Sequence, residues 1–105
     1  MEIIQLCENC TSLHTGGACK LSGSLAGPMP VHIYSVGSEP FVGTVQLEGT
    51  ISTGREIESG TAKWSVLSGA TWTIETIDAI FVQVTHIRVK VSEYISGAIS
   101  VRLGF

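Results

Sequence analysis

Hydrophobic and polar positions alternate along much of the chain, most strictly over residues 86–103. Ile87, Val89 and Val91 point one way; His86, Arg88, Lys90 and Ser92 point the other. Beyond Ser96-Gly97, Ile99, Val101 and Leu103 share one face, and Ser100 and Arg102 share the other. A period of two marks a strand with one buried face. Two such runs joined through a glycine turn predict an antiparallel hairpin. A ribbon with one dry face needs a second sheet to cover it. The expected fold is therefore all-β: an antiparallel β-sandwich, jelly-roll-like.

Upstream, short alternating runs recur between turn signals. Val31, Ile33 and Ser35 oppose His32, Tyr34 and Val36, and Gly37-Ser38-Glu39-Pro40 turns the chain. Val45 and Leu47 face inward in the next run, with Thr44, Gln46 and Glu48 outward; Gly49 marks a bulge. Residues 52–60 read as a polar loop. Ala62, Trp64 and Val66 alternate with Lys63 and Ser65, Ser68-Gly69 turns, and Trp72 and Ile74 open another strand. Residues 79–84 are almost wholly apolar, as expected of a central strand buried on both faces. No window carries a 3.6-residue stripe, so little or no helix is expected.

The first thirty residues differ. Ile3, Ile4 and Leu6 make a short apolar start, read as a first strand or an arm that docks on a neighbour. Residues 7–25 hold all three cysteines and many small polar residues, and Gly27-Pro28-Met29-Pro30 closes them. The expected organisation is an arm and Cys-containing loop over 1–30, then a sandwich domain over 31–105.

Composition narrows the function. Only 14% of the 105 residues are charged while 44% are hydrophobic, and mean hydropathy is positive. Such a balance points to an assembled protein, because large apolar patches on a free monomer promote aggregation. The net charge of −3 argues against nucleic acid, which calls for a basic patch. No apolar run reaches the ~18 residues of a membrane helix, and residues 1–7 lack the features of a secretion signal, so cytoplasmic synthesis is expected. Asn9-Cys10-Thr11 then reads as a chance match to a glycosylation acceptor.

Chemistry is sparse. Cys7, Cys10, His14 and Cys19 give Cys-x2-Cys-x3-His-x4-Cys, donors suited to zinc but one residue short of a zinc knuckle. Three reduced thiols, one disulfide plus a free thiol, and a bond to a neighbouring subunit all stay open. No metal and no cofactor are expected. Residues 49–56 nearly spell a phosphate loop, but Arg55 and Glu56 replace its Lys and hydroxyl, and no following helix is expected. Asp78 is the sole aspartate, and neither His32 nor His86 can be given a triad partner, so no enzyme is expected. Glu48 reads as solvated surface. His86, Arg88, Lys90 and Arg102 form a basic stripe on the ribbon's outer face, read first as solvated surface and otherwise as a docking face for an acidic partner. Trp64 and Trp72 read as packing residues; sugar binding would require them exposed on one platform.

Residues 42–103 also resemble a known family. Val45-Gln46-Leu47-Glu48-Gly49-Thr50-Ile51, then Trp64 with Leu67, then Ile87-Arg88-Val89-Lys90-Val91, Tyr94, Ser96-Gly97 and Ile99-Ser100-Val101-Arg102-Leu103 resemble small all-β structural proteins of tailed bacteriophages. The link over residues 52–63 is longer than in that family, and the cysteine segment has no counterpart there. The resemblance implies a non-enzymatic virion protein assembled in the host cytoplasm: a capsid decoration (cement) protein that bridges the major capsid protein and associates with itself as a dimer or trimer. Ile3, Ile4 and Leu6 would then be partner contacts. A tail or tail-fibre module binding a carbohydrate receptor is the alternative.

Overall fold

The computed structural model describes residues 3–21, 28–81 and 83–104. Nine strands and one short helix follow in order: β1 (Ile3–Cys10), β2 (His14–Thr15), β3 (Cys19–Lys20), β4 (Met29–Val36), β5 (Val42–Thr50), α1 (Gly54–Ser59), β6 (Ser65–Trp72), β7 (Thr76–Ile80), β8 (His86–Ser96) and β9 (Ala98–Gly104). They form two antiparallel sheets, ordered β1-β9-β4-β7 and β2-β8-β5-β6, with β3 also on β8.

The alternation read from the sequence sets the core. Val31, Ile33, Val45, Leu47, Ile87, Val89, Val91, Ile99, Val101 and Leu103 are all at most 2% exposed. They come from the two central strands of each sheet, β9 and β4 against β8 and β5. Each such side chain contributes roughly 1.5–3 kcal/mol by leaving water. The sandwich is thus held along its middle, and its edges are held by other means.

The expected hairpin is not formed. β8 pairs with β2, β3 and β5, whereas β9 pairs with β1 and β4. The turn at Ser96-Gly97 is an arch that carries the chain from one sheet to the other. Gly97 has φ +82, and a Cβ there would stand 2.5 Å from the Pro40 carbonyl oxygen. The Tyr94 hydroxyl donates to the Gly97 carbonyl at 2.7 Å and ties the arch to its own strand. Both connections, hairpin and arch, produce the same alternation; only the strand partners differ.

Three further expectations change. Ser68-Gly69 does not end a strand. β6 runs through it, with a register shift against β5 between Gln46 and Glu48 and Gly69 at φ +74. The apolar run after Asp78 is not a central strand: β7 is the edge of its sheet, with Ile80 buried but Ile77 and Phe81 more than 70% exposed. Val82, within that run, lies outside the described residues. Residues 52–60 hold α1, capped by the reciprocal Thr53 and Glu56 bonds and ended by left-handed Gly60.

Most of the described part of the N-terminal thirty belongs to the sheets. β1 pairs with β9, and β2 and β3 cover the free edge of β8. Residues 22–27 of the expected loop lie outside the described residues.

Candidate interaction surface

The arch decides where the basic residues go. Because β8 and β9 lie in facing sheets, their outward side chains emerge on opposite sides of the sandwich. The expected stripe is therefore split. Arg88 and Lys90 lie on the outside of the β2-β8-β5-β6 sheet, and Arg102 on the outside of the β1-β9-β4-β7 sheet. His86 joins neither face, being 7% exposed with Nδ1 2.9 Å from the Thr85 hydroxyl.

On the first side Arg88 has a counter-ion. Its Nε donates to Glu48 Oε1 at 2.8 Å, and its guanidinium lies 4.2 Å over the Trp64 ring. Glu48, read from sequence as solvated, is only 7% exposed, because it sits opposite Arg88 in the β5–β8 register and under that side chain. Burial of a carboxylate is tolerable here only because the ion pair is made. Trp72 is buried, and its indole N–H donates to Asp78 at 3.0 Å. The two tryptophans therefore form no shared exposed platform.

On the second side the partners are neutral. Gln5, Arg102, His32 and Ile77 stand in one cross-strand row over β1, β9, β4 and β7. Arg102 Nε donates to Gln5 Oε1 at 2.8 Å, and the guanidinium lies 5.4 Å from the Tyr34 ring centre. Gln5 is fixed in turn, its amide donating to the Cys7 carbonyl at 2.6 Å. The His32 and Tyr34 rings lie 4.9 Å apart. Among the described residues the only ion pair is Arg88–Glu48, so Arg102 is oriented without a counter-ion. A depression of about 180 Å³ adjoins it, lined by Ile3, Pro30, His32, Ile77 and Gly104 among others.

The expected partner contacts fall along β1, beside this face. Ile3 is 66% exposed, Ile4 is half-buried, and Leu6 packs against the core. β1 is thus a sheet edge rather than a loose arm.

The cysteine constellation is not assembled. Cys7 and Cys10 are joined to each other on β1, His14 pairs with Val91 and Cys19 with Ile87 at separate places along β8. Among the described residues no three His, Cys, Asp or Glu side chains converge on a metal position. Cys19 is a free, half-buried thiol whose pKa burial pushes up. The near-phosphate loop does lead into a helix, contrary to expectation, but α1 is only six residues long and its capping box already takes the Thr53 and Glu56 N–H groups.

Two carboxylates hold the edges. Asp78 Oδ2 accepts from Trp72 of the facing sheet and Oδ1 from the Ala79 N–H, and these bonds, Trp72 first, hold its pKa below the usual range. Glu75 accepts the Ser35 backbone N–H, which lowers its pKa; the nearby His32 adds a smaller effect. A more open cleft of about 530 Å³ lies between residues 35–41 and 73–75, walled by Pro40, Phe41 and Ile74. Its carboxylates are Glu39 and Glu75, and Glu75 is the one spent on Ser35.

No known protein family, characterised protein or solved structure matches the chain.

Proposed function

We propose that this protein is a non-enzymatic virion component, a capsid decoration protein that bridges and stabilises the subunits of a shell. The strand order carries the reading. β1-β9-β4-β7 over β2-β8-β5-β6 places the sequence neighbours β1 and β2, β4 and β5, β6 and β7, and β8 and β9 in opposite sheets. That wrapping supports a jelly roll, an architecture recurrent among viral capsid and lectin domains. Fold analogy alone does not assign function. Here it joins the phage-like motifs over residues 42–103, the low charge, and outward isoleucines at two sheet edges. Four groups that could carry chemistry, Glu48, Glu75, Asp78 and His86, are each bonded within the fold, which supports a structural role for them.

Cement proteins act by bridging: area buried across neighbouring subunits stabilises the bound state by mass action. Quantitative mass spectrometry of purified particles tests the reading. A copy number in simple ratio to the major capsid protein is expected. A handful of copies would move the protein to the tail or fibre, and complete absence from particles would overturn a virion role.

A further inference from the structure

We propose that the outer face of the β1-β9-β4-β7 sheet is the docking surface, and that it receives a carboxylate-bearing, apolar-flanked segment of a protein partner, with Arg102 as the anion receptor. The proposal deepens the bridging role and rests on it for the partner's being a protein of the shell.

Charge complementarity identifies the occupant. Arg102 is held in place by a neutral acceptor, Gln5, and an aromatic face, Tyr34, while its counterpart Arg88 has a carboxylate. Orienting an arginine costs side-chain entropy, and here that cost is met before any partner arrives. With Nε spent on Gln5, the terminal nitrogens keep the donors that match a carboxylate. His32, next in the row, is exposed and adds a polar donor. Glu75 does not fill the role: it makes no ion pair with Arg102, and its Oε1 accepts the Ser35 N–H.

Size and walls say the rest. About 180 Å³ admits a side chain or two, whereas small-molecule sites run to roughly 300–1,000 Å³. Ile3 at 66% and Ile77 at 71% exposure stand on the outer strands of the sheet and line the depression. An arginine and a tyrosine flanked by apolar residues match the composition of interface hot spots.

The test uses the full chain and two synthetic peptides, acetyl-Ile-Glu-Ile-amide and its glutamine analogue, followed by ¹⁵N NMR. The glutamate peptide is expected to shift the Gln5, His32, Tyr34 and Arg102 amides and the Arg102 Nε–H, saturably, with millimolar affinity. The glutamine peptide should bind about tenfold more weakly, as loss of a charge-assisted bond dictates. Arg102→Gln should erase the difference between the peptides, and Lys90→Gln, on the opposite face, should leave it unchanged. No saturable shift by ~10 mM, on the scale of millimolar binding, an equal response to both peptides, or shifts centred on Lys90 would overturn the proposal. A failed peptide titration with capsid-stoichiometric copies in particles would remove this surface and leave the virion role. Peptide selectivity without particle association would keep the surface and remove the role.

Discussion

Arg88 and Arg102 sit on consecutive strands with the same alternating neighbours, yet they end in opposite chemical situations. Arg88 faces a carboxylate across β5 and lies on Trp64; Arg102 faces a glutamine across β1 and leans on Tyr34. In both cases the register supplies the partner. Glu48 is opposite Arg88 and Gln5 is opposite Arg102. One arginine therefore belongs to the fold, and the other is held at the surface with no counter-ion among the described residues. The lesson is that strand pairing, more than residue type, decides whether a surface charge is structural or available.

The contrast breaks most severely at the arch. Gly97→Ala would force a Cβ into the Pro40 carbonyl in a left-handed conformation. The expected cost is about 3 kcal/mol, measured by urea unfolding, and it should loosen both arginine faces together. A loss below about 1 kcal/mol would mean that the arch relaxes freely.

The next test sets the two arginines side by side. Glu48→Gln leaves Arg88 half-buried without its counter-ion and should cost about 1–3 kcal/mol. Gln5→Ala and Arg102→Gln, both at exposed positions, should stay within about 0.5 kcal/mol. Equal costs on the two sides would dissolve the distinction between a structural and an available arginine.

The smallest effect is the acid dependence of the edges. Asp78 and Glu75 have depressed folded pKa values, so their contribution is complete above the unfolded values near 4. It is lost as pH falls through the lower, folded values. Thermal stability should fall on acidification below about pH 4, and Asp78→Asn should flatten that slope while lowering stability at neutral pH. An unchanged acid slope in Asp78→Asn would mean that Trp72 and the Ala79 N–H do not hold the carboxylate.

Much of this was legible in the chain. Inward and outward positions of β4, β5, β8 and β9 follow from alternation, and they locate nearly the whole core. Alternation is silent on partners, however, so a hairpin and an arch through Ser96-Gly97 could not be told apart, and the basic stripe was drawn across two faces. The apolar run after Asp78 misled for a related reason: a run without a period carries no facing information, and the strand proved to be an edge. Glu48 was missed because only the register puts Arg88 over it. α1 did leave a signal, the Thr53-x-x-Glu56 capping box followed by Gly60, but six residues are too few for a helical stripe. Gln5, the residue that orients Arg102, left none; it acts through a strand at the other end of the chain.

That last pairing sets an order of events during synthesis. β9 is made after every other strand described, yet it lies between β1 and β4 in the finished sheet. β1 finds no sheet partner until then, although all of β2 to β8 is made in between. Ile4 and Leu6 therefore stay uncovered until β9 is made, and the sheet closes late, through a pairing of high sequence separation.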